Sequence, residues 1–205
     1  MQKLSGNVAL VTGASSGYGL AIAIRLAQVG CALHLADSNE TDLEDALDAI
    51  GTDDENEPET HPTDISDAIN AAALALECEE VNILINTFPA PPVGGIDDLD
   101  HDDWLQAIEE ILLSTINMTR EVYESLQEIG TGLIYNIGCS GQTAGHPDSL
   151  CQDTINAALK VFSNNMDKEA ALHGVRVFFV SPSVSETAAG LADDIVNQIL
   201  EHQAS

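Results

Sequence analysis

The stretch TGASSGYG follows the apolar run Val8 to Val11. Its glycines Gly13, Gly17 and Gly19 suit a tight turn whose amides approach a pyrophosphate at the start of a helix. Asp37 closes the next apolar run, where a carboxylate can accept hydrogen bonds from an adenosine ribose. Turn and carboxylate together predict a dinucleotide site, and Asp37 favours NAD over NADP because it would repel a 2'-phosphate. The same turn is needed simply to join a strand to its helix, so its presence establishes a fold more firmly than a bound cofactor.

Other residue types capable of chemistry give less. Cys139, Cys151 and His146 are close in sequence, but no oxyanion donor or orienting carboxylate can be assigned to a thiol-imidazole pair, and buried thiols are usually packing groups. His34 alternates with Leu33 and Leu35 and reads as a satisfied strand residue, with the remaining histidines isolated. Asp53, Asp54, Glu55, Glu57 and Glu59 lack the fixed ligand positions of a calcium loop and read as solvated. Cys31, Cys78, Cys139 and Cys151 are scattered without metal-ligand spacing, so reduced thiols and no metal are expected.

The elements that must hold these residues alternate between strand-length apolar runs and segments of helical periodicity. Strand 7–12, helix 17–30, strand 32–36 and helix 40–50 come first. The acidic stretch GTDDENEPETHP, 51–62, reads as an exposed loop without chemistry of its own, leading into a very short third strand that ends near Asp64. Helix 66–78, strand 81–86, a long helix 102–129 and strand 133–137 follow, then helix 149–172, strand 175–180 and a last helix 187–201. Such alternation predicts an α/β fold, a parallel sheet with helices on both faces.

With 205 residues, 44% of them hydrophobic, the chain can bury one sizeable core, and one domain over 1–205 is expected. Thirty-four acidic residues against six Lys plus Arg give a formal charge of -28, which excludes phosphate backbones and anionic membranes as natural partners. The charge reads as a solvated acidic coat, such as a high-salt host favours. No membrane-length apolar run or signal-peptide core is present, and a cytoplasmic protein is expected.

From about Lys3 to Ala192 the chain resembles the short-chain dehydrogenase/reductase family, whose fingerprint is Thr-Gly-x-x-x-Gly-x-Gly. Asp64-Ile65, Ile83-Leu84-Ile85-Asn86, Asp103-Trp104, Arg120, Gly174-Val175-Arg176-Val177 and Ser181-Pro182 extend the match. The resemblance implies a Rossmann-type doubly wound parallel sheet of order 3-2-1-4-5-6 in a three-layer αβα sandwich, truncated here by loss of a seventh strand. It also implies cofactor contacts, vestigial or weak, at Gly13, Ser15, Gly17, Tyr18, Gly19, Asp37, Asp64, Ile65, Asn86 and Thr187.

The departures fall where the family keeps its chemistry. The segment Ala157-Ala158-Leu159 fixes the register, so that Gln152 stands for the family's Tyr, Asn156 for its Lys, Cys139 for its Ser and Ile111 for its Asn. A phenol whose proton is loosened by a nearby ammonium moves the alcohol proton in the family. Gln152 has no titratable proton, Asn156 carries no charge, a thiol is a weak donor and Ile111 relays nothing. Phe88 and Pro89 replace small family residues beside the adenosine, and Ser183 replaces a glycine. The family's substrate lid is also absent, since Thr187 runs almost directly into the last helix.

By resemblance, then, no catalytic residue is intact, and a non-catalytic subunit of a heteromeric NAD-dependent dehydrogenase is expected. A complete family member would be its partner, docked through helices 102–129 and 149–172, which form the family's helical interface. A heterotetramer with NAD held in the partner follows, acting on an alcohol or hydroxyacyl-CoA. A free-standing NAD-binding sensor and an oxidoreductase with an atypical site are the alternatives.

Overall fold

The computed structural model describes residues 4–51, 57–139, 145–183 and 185–203. Its strands β1 (Val8–Thr12), β2 (Ala32–Asp37), β3 (Glu59–Pro62), β4 (Ile83–Asn86), β5 (Gly132–Ile137) and β6 (Val175–Val180) form one parallel sheet of order β3-β2-β1-β4-β5-β6. Both faces are covered. Ala9, Val11, Ile83, Ile85, Leu133 and Tyr135 pack on one face with helices α1 (Gly17–Gln28) and α7 (Ala188–Gln203). Leu10, Leu84 and Ile134 point the other way, toward α3 (Ala68–Glu77), α5 (Ser114–Ile129) and α6 (Leu150–Ala170). This period-2 alternation in strands that are apolar on both sides is what a sandwiched parallel sheet requires. None of the described helices is long and apolar enough to cross a membrane.

Two sequence expectations are corrected. β3 spans Glu59–Pro62, inside the stretch read as a loop and two residues before the expected end. Its polar composition misleads because an edge strand pairs on one side only, here with β2 through His34 opposite Glu59 and Ala36 opposite His61. The long helix is one rod of two α-helical parts, α4 (His101–Ala107) and α5, joined by a π-helical segment Ile108–Leu113. The Ser114 hydroxyl donates to the Glu109 carbonyl at 3.1 Å, five residues back, where the turn is widened.

Local caps set the helix starts. Asn39 accepts from the Thr41 and Asp42 amides at the head of α2 (Glu40–Ile50), and Asp100 with Asp103 closes a reciprocal capping box on α4. Asp167 ties α6 to β6, accepting from Arg176 Nε at 2.8 Å and from the Val177 amide at 2.9 Å. The Arg176 guanidinium lowers the Asp167 pKa below its ordinary range. The carboxylate is therefore more acidic in the folded than in the unfolded chain, and its stabilisation holds above the ordinary carboxylate pKa and fades as pH falls through the lowered value. Asp167→Ala should cost about 1–2 kcal/mol at neutral pH. Urea titrations compared at pH 7 and pH 2.5 should show that difference shrinking in acid.

Candidate active site

The carboxyl ends of β1, β2 and β4 open onto a cleft of about 930 Å³. Gly13, Ser15, Gly17, Tyr18, Asp37, Asp64 and Ile65 line it, so seven of the ten anticipated cofactor positions come together. Asp37 Oδ2 accepts from the Ser15 hydroxyl at 2.6 Å and from its amide at 3.3 Å, which ties the glycine turn to the end of β2. Asp64 Oδ1 accepts from the Ser66 amide and hydroxyl at 3.0 and 2.7 Å.

The other three lie elsewhere. Gly19 packs against Gly13, where an added Cβ would collide with the Gly13 carbonyl. Asn86 is fully buried and donates to Asn136 Oδ1 at 2.8 Å. Thr187 caps α7, its hydroxyl oxygen accepting from the Gly190 amide at 3.1 Å.

The cleft is acidic. Asp37, Asp42, Asp64, Asp102, Glu109 and Glu110 line it, and among the described residues no Lys or Arg does. A glycine turn with Asp37 fits the adenosine side of a dinucleotide, whereas six carboxylates without a cation disfavour its pyrophosphate at low salt. Phe88 and Pro89 line the wall beside Thr87.

The four degenerate positions gather at the edge of this cleft, and they are packed rather than vacant. Ile111, Cys139 and Cys151 belong to one apolar cluster with Ala107, Ile155 and Leu159, flanked by Phe88, Trp104 and Phe179. Of the four, only Cys139 lines the cleft. Burial, with Cys151 beside it, pushes the Cys139 thiol up to about 12, so it is neither nucleophile nor proton carrier at neutral pH. Gln152 is buried in the first turn of α6.

Asn156 has become structural. Its Oδ1 accepts from the Cys139 amide at 2.8 Å and its Nδ2 donates to the Cys139 carbonyl at 3.0 Å. Both ends of the amide are thereby spent on holding the chain where β5 leaves the sheet. Lys160, one helical turn on, is exposed and lies outside the cleft. Tyr123 and Tyr135 are buried in the helix-sheet cores. Among the described residues the cleft therefore offers no lysine beside a tyrosine.

His146 does not complete a thiol-imidazole pair: its Nδ1 accepts from the Asp148 amide at 3.2 Å at an exposed turn. Asp53, Asp54 and Glu55 lie outside the described residues. The reading of the remaining histidines as isolated is overturned, because His34 and His61 meet at 3.1 Å across β2 and β3. Twenty-seven residues separate them in sequence, and only the strand register brings them together.

The family model described as short chain dehydrogenase matches residues 7–194. The chain is 30% identical over 192 residues to the D-threitol dehydrogenase of Mycolicibacterium smegmatis, covering 92% of this chain and 74% of that protein. An uncharacterized oxidoreductase of Staphylococcus aureus is 27% identical, with 92% and 82% covered. Among solved structures, a metagenomic short-chain oxidoreductase in complex with NADP superposes with a TM-score of 0.84 at 25% identity, covering 96% of this chain and 92% of that one.

Proposed function

Because the chain belongs to the short chain dehydrogenase family, we propose that it serves there as a non-catalytic subunit, paired through helices 102–129 and 149–172 with a complete dehydrogenase chain. The partner carries out NAD-dependent oxidation of an alcohol or hydroxyacyl-CoA and holds the cofactor. One observation carries this reading: the pocket that would move the substrate proton is filled by the apolar cluster around Ile111, Cys139 and Cys151, with Asn156 bonded to the backbone. A group without a titratable proton cannot act as general acid or base.

The pairing draws support from apolar side chains on the outer faces of the same helices. Ile108 and Leu113 on the long rod and Leu150 and Val161 on α6 are between 37% and 60% exposed. Such a patch on an acidic protein fits an interface that excludes water at its centre. A hetero-oligomer, a heterotetramer in the family's arrangement, follows from two such helical pairs.

Purification of the full chain from its native source should yield a complex with a second chain carrying Tyr-x-x-x-Lys. The isolated subunit should transfer no hydride between NAD and polyol or hydroxyacyl-CoA substrates. A lone monomer with turnover of its own would remove the proposal. The open glycine turn favours one alternative, a free-standing NAD-binding sensor, which requires measurable NAD affinity in the isolated chain; calorimetry at millimolar NAD separates the two.

A further inference from the structure

We propose that His34, His61 and Cys78 bind a single zinc ion at the end of the sheet opposite the nucleotide cleft. The three residues come from three elements: His34 from β2, His61 from the edge strand β3 and Cys78 from the C-terminal cap of α3. One ligand atom from each lies within 4.8 Å of the others.

The separations suit the ion. His34 Nδ1 is 3.1 Å from His61 Nε2, and that same Nε2 is 3.6 Å from Cys78 Sγ. Zinc bonds of about 2.0–2.1 Å to nitrogen and about 2.3 Å to sulfur, held at tetrahedral angles, set ligand edges of about 3.3 Å for N···N and about 3.6 Å for N···S. Two of the three ligand edges already stand at these lengths, and the third, between His34 and Cys78, lies within 4.8 Å and closes by side-chain rotation.

The surroundings favour a cation. His34 lines a cleft of about 510 Å³ together with Glu57, Glu59, Glu77, Glu79 and Glu80, a mouth that concentrates positive ions. Glu77 Oε2 stands 3.6 Å from His61 Nδ1, the ring nitrogen not facing the other ligands, where a carboxylate orients a metal-bound imidazole. Glu59 Oε2 is 3.6 Å from His34 Nδ1 and adds negative charge beside the three ligands, leaving the fourth position of the ion to water. The mixed imidazole and thiolate set selects zinc over magnesium or calcium.

As the zinc-sulfur bond forms, the Cys78 thiol proton leaves to solvent. The ion then clamps the four-residue edge strand β3 to β2 and to α3. The competing arrangement is a hydrogen bond between the two imidazoles beside an inert thiol.

Metal-free full-length protein titrated with zinc should take up one equivalent in calorimetry and melt at a higher temperature. Cobalt(II) at the same site should give a thiolate-to-metal charge-transfer absorption. Cys78→Ser should abolish that absorption, and both Cys78→Ser and His61→Gln should weaken zinc binding at least roughly tenfold. Absence of saturable zinc uptake by the unmodified chain, absence of the cobalt absorption, or zinc affinity unchanged in both variants would overturn the assignment. The unmodified chain alone decides the first two outcomes, so they stand even where a variant fails to fold.

Discussion

Asn86→Leu should lower the unfolding free energy by about 3–4 kcal/mol, roughly a 10²–10³-fold loss in the folding equilibrium. Asn86 is fully buried and sits in a chain of polar side chains that crosses the sheet. Thr12 Oγ1 donates to its Oδ1 at 3.4 Å, and its Nδ2 donates to Asn136 Oδ1 at 2.8 Å and to Thr119 Oγ1 at 3.3 Å. Asn136 Nδ2 continues to Ser163 Oγ at 2.9 Å on α6. Leucine has nearly the same volume, so the substitution leaves little cavity and much unsatisfied polarity, since Asn136 Oδ1 loses its donor where water cannot reach. Each orphaned buried group costs about 1–3 kcal/mol.

Adding Asn136→Leu should recover part of the loss, because removing both partners relieves the orphan. Non-additivity of about 1–2 kcal/mol in the double-mutant cycle is the diagnostic. Urea unfolding followed by circular dichroism measures it. A single-variant loss below about 1 kcal/mol, or strict additivity, would show that the network contributes little.

The network also explains why the end of β4 needs an asparagine whatever chemistry the cleft carries. It fixes the carboxyl ends of β1, β4 and β5, from which Gly13, Thr87 and Gly138 project into the cleft wall. The scaffold and any reaction in the cleft thus have separate requirements.

How much of this was legible in the sequence depends on the range of the interaction involved. Alternation of apolar runs with helical periods located the strands of the sheet interior, because burial on both faces leaves a continuous apolar signal in β1, β4 and β5. Strand order came through the family resemblance, since periodicity carries no information about neighbours. A short third strand was expected, but the polarity of β3 hid its bounds. That Ile111, Gln152 and Asn156 have no titratable proton is plain from their residue types, but the packing around them is not: that Ile111 joins Cys139 and Cys151, and that Asn156 clasps the Cys139 backbone, are contacts between distant segments. The His34, His61 and Cys78 group escaped for the same reason, and only an alignment of β2 with β3 in the correct register could have suggested it.

Gly13→Ala should destabilise the protein by about 3–5 kcal/mol, whereas Gly17→Ala should cost only about 1 kcal/mol, although both backbones are left-handed at φ +61° and +57°. A Cβ on Gly13 would meet the Thr87 carbonyl and stand 2.7 Å from its hydroxyl. Thr87 cannot retreat, because its hydroxyl donates to the Thr12 carbonyl at 2.7 Å and its amide to Thr12 Oγ1 at 3.3 Å. A Cβ on Gly17 meets nothing within 4 Å. The two glycines, a single motif in the sequence, therefore answer to different demands: Gly13 to the contact between β1 and β4, and Gly17 to the space in front of α1. That space is where a pyrophosphate would sit. In a subunit that holds no nucleotide, Gly17→Ala should leave assembly with the partner and activity of the complex unchanged, and calorimetry with NAD should detect no binding before or after the substitution. NAD binding by the unmodified chain that Gly17→Ala abolishes would instead make the acidic cleft a working nucleotide site and favour the sensor.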